Sequence, residues 1–213
     1  MSTYELRYFS LRARAETIRL LLLASGSKFT EVTPDWPADK TQQPLCQLPV
    51  LIETLEDGEK FTLSDSIAIE KYLAAKAGLL VQTGLRATAR ENQLRGQIED
   101  LFALQVRYAR GAEGGKEAAV ERYKVLADAF VKYHEALLAE NGNNGHYFGT
   151  STTYMDLALF TWVMFLRAKS NAGMLIPGSA DFFSAAKAPG IDKVYTVVRG
   201  DGIAAAYVAT LEE

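Results

Sequence analysis

The sequence predicts an α/β domain over residues 1–79, followed by an all-α helical bundle over residues 85–213. Three observations predict it. The first third mixes short alternating segments with helical ones, whereas beyond "GLLVQTG" the apolar spacing is helical throughout. One late segment, "TYMDLALFTWVMFLRAKS", is apolar almost all round, as the central buried helix of a bundle is. Neither internal repeats nor low-complexity tracts interrupt the chain.

The elements follow in order. Tyr4, Leu6 and Tyr8 alternate with Glu5 and Arg7, so the stretch up to Phe9 reads as a strand. Ile18, Leu21 and Leu22 then recur at helical spacing, with Glu16 and Arg19 on the other side. "KFTEVTP" reads as a second strand and "DWPADKTQQPLC" as an irregular polar stretch. Val50 to Ile52 is a short apolar strand, Asp57-Gly58 a turn signal, and Lys60 to Leu63 another strand. "SDSIAIEKYLAAKAG" is a helix that Ser64 or Asp65 can cap and that Gly78 ends. Thr88 to Arg110 and Lys116 to Asn141 are long helices separated by the breaker "GAEGG". Thr153-x-x-Asp156 has capping-box spacing at the start of the apolar helix. A short helix enters through Pro189, and Ile203 to Leu211 forms a packed tail.

Composition narrows the function classes. A net charge of −3 with no Lys/Arg run argues against a nucleic-acid partner. Cys46 is the single cysteine, so no internal disulfide can form and a reducing compartment fits. No apolar run is long enough to cross a bilayer, and "MSTYELRYF" does not read as a signal peptide. A cytoplasmic location with no membrane partner is the expectation. His134, inside a helix, and His146, in a loop, show no metal-ligand spacing with Cys46, so no metal is expected. There is no Walker-type loop and no nucleophile elbow. Cys46 itself reads as a small buried apolar residue rather than a nucleophile.

Four local features carry chemistry, each with an ordinary reading beside it. Tyr8 closes the first strand with Arg12 and Arg14 crowded into the turn that follows; a phenol at a core rim is commonly amphipathic filler. In "QLPVL", Pro49 is either a turn proline or a cis-proline that turns the backbone of Leu48 outward to pair with an extended peptide. Asp65 and Ser66 either cap a helix or use its N-terminus for a carboxylate, with Asp65 taking an ammonium. Trp36 and Lys40 are exposed loop residues or a pair of donors for a second carboxylate. Taken together, the functional readings describe one ligand: an extended zwitterionic peptide with carboxylates at both ends.

In this order the motifs resemble the cytosolic glutathione transferases, in the tyrosine-type branch that includes the sigma, pi, mu and alpha classes. The resemblance covers the whole chain. It implies a thioredoxin-like N-terminal domain and an all-helical C-terminal domain that forms the electrophile pocket and dimer contacts. "YFSLRARAETIRLLL" is similar to the family's opening strand and helix, and "QLPVL" to its cis-proline strand. "LSDSIAIEKYLA" is similar to its γ-glutamyl-binding helix start, and Thr153-x-x-Asp156 to its capping box.

By that resemblance Tyr8 takes the catalytic tyrosine's place and Arg14 that of the arginine bracing it. Trp36 and Lys40 match the glycyl-carboxylate pair, Gln47 and Leu48 the residues holding the cysteinyl backbone, and Pro49 the cis-proline. Asp65 and Ser66 match the γ-glutamyl pair, where the first is more often Gln. Asp100 matches the acidic residue that reaches the γ-glutamyl amine in the partner subunit's site, which implies a homodimer. Leu11, Leu104 and Tyr108 are the implied walls of the electrophile pocket. The chain departs from the pattern at Ala13, where relatives often carry Gly, and at Leu45, where some classes carry an aromatic key. Trp36 and Lys40 also stand closer together than in pi-like members.

The implied chemistry gives Tyr8 its purpose. A free thiol titrates near about 8.5, so little of it is the nucleophilic thiolate at neutral pH. A phenol donating to the sulfur stabilises the anion, and a shift of about two pH units needs about 2.7 kcal/mol, within reach of one or two charge-assisted hydrogen bonds. Glutathione is then a co-substrate rather than a cofactor, and small hydrophobic electrophiles are the second substrates. A glutathione-dependent isomerase or peroxidase, or a non-catalytic glutathione-binding or structural relative, is the alternative. A thiol oxidoreductase of thioredoxin-like fold wants cysteine in the first strand–helix turn, where this chain has Tyr8 and Ser10.

Overall fold

The computed structural model describes residues 2–111 and 115–211, so the middle of the "GAEGG" breaker lies outside the described residues. These residues form two compact units: residues 2–80 together with 202–211, and residues 81–201.

The first unit is built on a four-stranded sheet of β1 (Thr3–Arg7), β2 (Phe29–Val32), β3 (Val50–Thr54) and β4 (Lys60–Ser64), in the order β2-β1-β3-β4. β2 runs parallel to β1, while β3 and β4 are antiparallel to their neighbours. The hairpin joining β3 and β4 turns at Asp57-Gly58, where Gly58 takes φ +87° and the Asp57 carboxylate accepts the Glu59 N–H at 3.0 Å. Leu6 and Leu51 face a core shared with Ile18, Leu21 and Leu22 of α1 (Glu16–Ala24) and Ile69 of α2 (Ser66–Lys76), all essentially without solvent contact. Asp65 caps α2, accepting the Ala68 N–H at 3.0 Å. α7 (Gly202–Ala209) packs on α1 and so lies with this unit, although the helical run precedes it in sequence.

Glu53 shows how this unit accommodates a buried carboxylate. It is fully buried on β3, yet accepts the Tyr4 hydroxyl at 3.1 Å, the Tyr72 hydroxyl and the Lys76 ammonium. Burial alone would raise its pKa, but the Lys76 and Tyr72 donors outweigh burial and hold it at about 2.

The second unit packs α3 (Leu85–Arg110) against α4 (Gly115–Glu140), with α5 (Tyr154–Arg167) buried between them and α6 (Pro189–Gly200). Every residue of α5 except Arg167 is buried, as its all-round apolar sequence predicts. Its capping box is complete: the Asp156 carboxylate accepts the Thr153 N–H at 2.8 Å and, through its other oxygen, the Tyr147 N–H at 2.8 Å. Pro189 opens α6, and Glu135 on α4 accepts the first-turn N–H groups of Gly190 and Ile191 at 2.9 and 2.8 Å. Among the described residues, no helix is long and apolar enough to cross a membrane.

Candidate active site

Strand register assembles one end of the sheet. Arg7 pairs with Val50, and Val50 with Ser64, so these three stand side by side across β1, β3 and β4. The next residues outward are Tyr8, Pro49 and Asp65. Three sequence-predicted residues, 16 or more positions apart along the chain, therefore leave the sheet along a single edge.

Tyr8 is held tightly there. Its N–H donates to Val32 O at 3.1 Å, extending the parallel pairing with β2 by one residue. The chain then turns sharply, with Leu11 N–H on Phe9 O at 2.7 Å, and enters α1 at Glu16. The phenol is 7% exposed and its oxygen accepts the Arg14 backbone N–H at 3.3 Å. Its ring meets Phe9 edge-on at 5.4 Å, and Phe9 meets Trp36 in the same way at 5.4 Å. Burial raises the phenol's pKa above its ordinary value, opposed by the Arg14 N–H and by the charges of Arg14 and Arg19. Tyr8 is consequently a neutral hydroxyl at physiological pH, able to donate.

The remaining predicted residues of this unit sit in the loop before β3 and at the start of α2. Lys40 is exposed, with its ammonium 5.9 Å from the centre of the Trp36 ring. Leu48–Pro49 is a cis peptide, and so is Trp36–Pro37, for which no local motif signals it. Leu45 and Cys46 both adopt left-handed backbone, at φ +53° and +52°, and Leu45 projects with 81% of its surface exposed. Cys46 corrects the expectation of a buried residue: the left-handed turn lifts it to the surface and leaves it half-buried. Gln47 is exposed, whereas Ser66 is buried at the first position of α2. The Asp65 carboxylate accepts the Ala68 N–H and so caps α2.

Leu11 is 40% exposed in the turn after Tyr8. Within the second unit, Asp100, Leu104 and Tyr108 recur every fourth residue and so share one face of α3. Asp100 is exposed there, and Leu104 and Tyr108 are half-buried. His134 and His146 are absorbed by structure. His134 bonds the Tyr147 hydroxyl and stacks on Phe130 at 3.5 Å, and burial lowers its pKa to about 3. His146 lies 3.7 Å from Asp156.

Two residues escaped sequence reading. Helical spacing alone puts Arg19 and Glu16 on the polar side of α1. In the fold Glu16 is buried, bonded by the Tyr207 hydroxyl of α7 and by Arg19 at 3.0 Å, while Arg19 reaches over the Tyr8 ring. The available signal was a pair of opposite charges three residues apart in an otherwise apolar helix. Around them Ser10, Leu11, Arg12, Thr33 and Thr210 line a cavity of about 390 Å³.

Comparison with known proteins agrees with this architecture. The family model for the glutathione S-transferase N-terminal domain matches residues 4–75. A probable glutathione S-transferase of Caenorhabditis elegans is 33% identical over 168 residues, covering 75% of this chain and 78% of that protein. Glutathione S-transferase 1 of Ascaris suum is 34% identical over the same shares of the two chains. The solved sigma class transferase of Fasciola hepatica superposes with a TM-score of 0.79 at 28% identity, over 98% of this chain and 96% of that one. The family model is confined to the first unit, but the structural likeness runs through both, and on these grounds the chain belongs to the glutathione S-transferase family.

Proposed function

We propose that the first unit binds reduced glutathione along the edge where Tyr8, Pro49 and Asp65 emerge, and that Tyr8 stabilises the sulfur as a thiolate. The observation that carries this reading is the hydrogen bond from Arg14 N–H to the Tyr8 oxygen. Because that oxygen already accepts, the phenol's own proton is left to donate, and a charge-assisted bond to sulfur is the stronger kind. The thiol proton passes to solvent. The sulfur lone pair then forms the new bond to an electrophilic carbon of a hydrophobic substrate, which releases its leaving group or takes up a proton on addition. Holding the two reactants together supplies the rest of the acceleration.

In this reading Trp36 and Lys40 hold the glycyl carboxylate, and Gln47, Leu48 and Pro49 the cysteinyl backbone. Asp65 and Ser66 take the γ-glutamyl end, joined by the partner subunit's Asp100 in a cytoplasmic homodimer. Leu11, Leu104 and Tyr108 contact the electrophile.

The test is conjugation of glutathione to 1-chloro-2,4-dinitrobenzene by wild type and Tyr8→Phe, with glutathione binding followed by calorimetry. The reading expects normal binding by the mutant and a rate lowered about 100-fold, the kinetic equivalent of about two pH units of thiol acidity. A mutant as fast as wild type would remove Tyr8 from the mechanism. Wild type that binds glutathione without turnover would favour a binding or structural role.

A further inference from the structure

The guanidinium of Arg19 uses its donors on three different parts of the first unit. Nε and Nη2 grip the Glu31 carboxylate of β2 at 2.9 and 2.8 Å. Nη1 donates to Glu16 on its own helix at 3.0 Å and to the backbone carbonyl of Leu11, in the turn after Tyr8, at 3.1 Å. Held this way, the cation stands 5.9 Å from the centre of the Tyr8 ring. Its side chain is only 14% exposed, so water screens the interaction weakly.

We infer that Arg19 is a positioning residue for Tyr8: it fastens the turn from which Arg14 donates and places a fixed positive charge against the phenol ring. This rests on the reading of Tyr8 as thiolate stabiliser. Two effects follow from one side chain. Tying Leu11 O to β2 through Glu31 keeps the turn from opening, which holds the Arg14 N–H on the Tyr8 oxygen. The charge itself favours electron density on that oxygen's ring, so the hydroxyl becomes the more acidic and the better donor. The other charges around the phenol are Arg14 in the turn and Glu16 on α1, with Arg12 lying 3.6 Å from Glu16 and Glu31 facing from β2. Glu16 opposes ionisation of Tyr8, and its pairing with Arg19 mutes that opposition.

The test separates charge from scaffolding. Arg19→Gln and Arg19→Lys both lose the planar fork, but only the lysine keeps the charge. Glu31→Gln weakens the same scaffold while leaving the cation in place. Ionisation of Tyr8 is read by NMR of ring-labelled tyrosine, its resonance assigned by its loss in Tyr8→Phe, and thiolate formation by the absorbance of bound glutathione against pH. Arg19→Gln is expected to raise the Tyr8 titration by about half to one pH unit, to move the acid limb of kcat/KM the same way, and to lower kcat/KM three- to tenfold. Arg19→Lys and Glu31→Gln, which keep a cation while loosening the turn, should raise the Tyr8 titration by clearly less than Arg19→Gln does, while reducing Tm. An unmoved titration in Arg19→Gln, or an equal rise in Glu31→Gln, overturns the inference. Should Arg19→Gln fail to fold, the Arg19→Gln/Glu31→Gln double variant leaves no unpaired Glu31 carboxylate and must still show the upward shift. Tyr8→Phe with a normal thiolate signal would instead sink the Tyr8 reading, whatever Arg19 does to the phenol.

Discussion

The backbone N–H of Arg14 donates to the Tyr8 phenol oxygen at 3.3 Å. Any residue except proline at this position can make that bond. The side chain adds its positive charge, which favours the Tyr8 phenolate.

Arg14→Ala should therefore be much milder than Tyr8→Phe. Loss of one nearby charge predicts a fall in kcat/KM of about tenfold, the equivalent of about one pH unit. Arg14→Pro removes the N–H as well and should approach the deficit of Tyr8→Phe. Steady-state kinetics of the three variants, ranked side by side, checks this order.

Lys40 is exposed, with its ammonium 5.9 Å from the Trp36 ring, and the glycyl carboxylate proposed for it takes no part in the bond changes at sulfur. Binding of that kind moves KM and spares kcat. Lys40→Ala should raise the KM for glutathione about five- to tenfold at low salt with kcat unchanged. The gap between mutant and wild type should narrow as ionic strength rises.

The two histidines predict a stability maximum close to pH 6.5, the ordinary value for the side chain. Burial lowers His134 to about 3, so below 6.5 the unfolded chain binds a proton that the folded one refuses. Its contribution is complete above 6.5 and is lost as pH falls toward 3. His146 is shifted upward by the Asp156 carboxylate 3.7 Å away, so its contribution is complete below 6.5 and is lost as pH rises through the folded pKa. Glu53, held at about 2, adds its own loss only below 4.5. Denaturant titrations between pH 4.5 and 6.5 should thus slope by up to about 1.4 kcal/mol per pH unit, and His134→Gln should flatten that slope. His146→Gln should flatten the limb above 6.5 instead.

Asp156 satisfies two backbone donors and the Thr153 hydroxyl from a fully buried position. Asp156→Ala leaves those donors without a partner and should cost about 3 kcal/mol. Thr153→Ala removes a single side-chain cap and should cost about 1 kcal/mol. Urea unfolding of the pair measures the difference. Glutathione affinity of the folded fraction should be unchanged in both.

What the sequence disclosed follows the range of the interactions concerned. The alternation at Tyr4 to Tyr8, the Asp57-Gly58 turn and the capping box at Thr153 and Asp156 are settled within a few residues, so their signals are local. The α5 sequence is apolar all round because it is surrounded, and that too can be read directly. Arg19 and Glu31 lie on different elements, and Glu16 and Tyr207 are 191 residues apart, so no spacing rule relates them. Arg19 thus looked like one more solvent-facing charge. The left-handed backbone at Leu45 and Cys46 was equally illegible, because neither residue type prefers it. For the same reason a small apolar residue at Cys46 reads as buried, whereas the structure leaves it half-buried.

The packing of α7 on α1 has a consequence for how the protein is made. A ribosome delivers the sheet and its two first helices early, yet Glu16 receives the Tyr207 hydroxyl only after the whole of residues 81–201 has emerged. Until then Glu16, the buried carboxylate that opens α1, lacks one of its donors. Synthesis order therefore completes the unit that carries the proposed site only after residues 81–201 have been made, although its sheet and first two helices precede them. A product terminated inside the final helix would carry every residue of the proposed site and still lack the wall that steadies it.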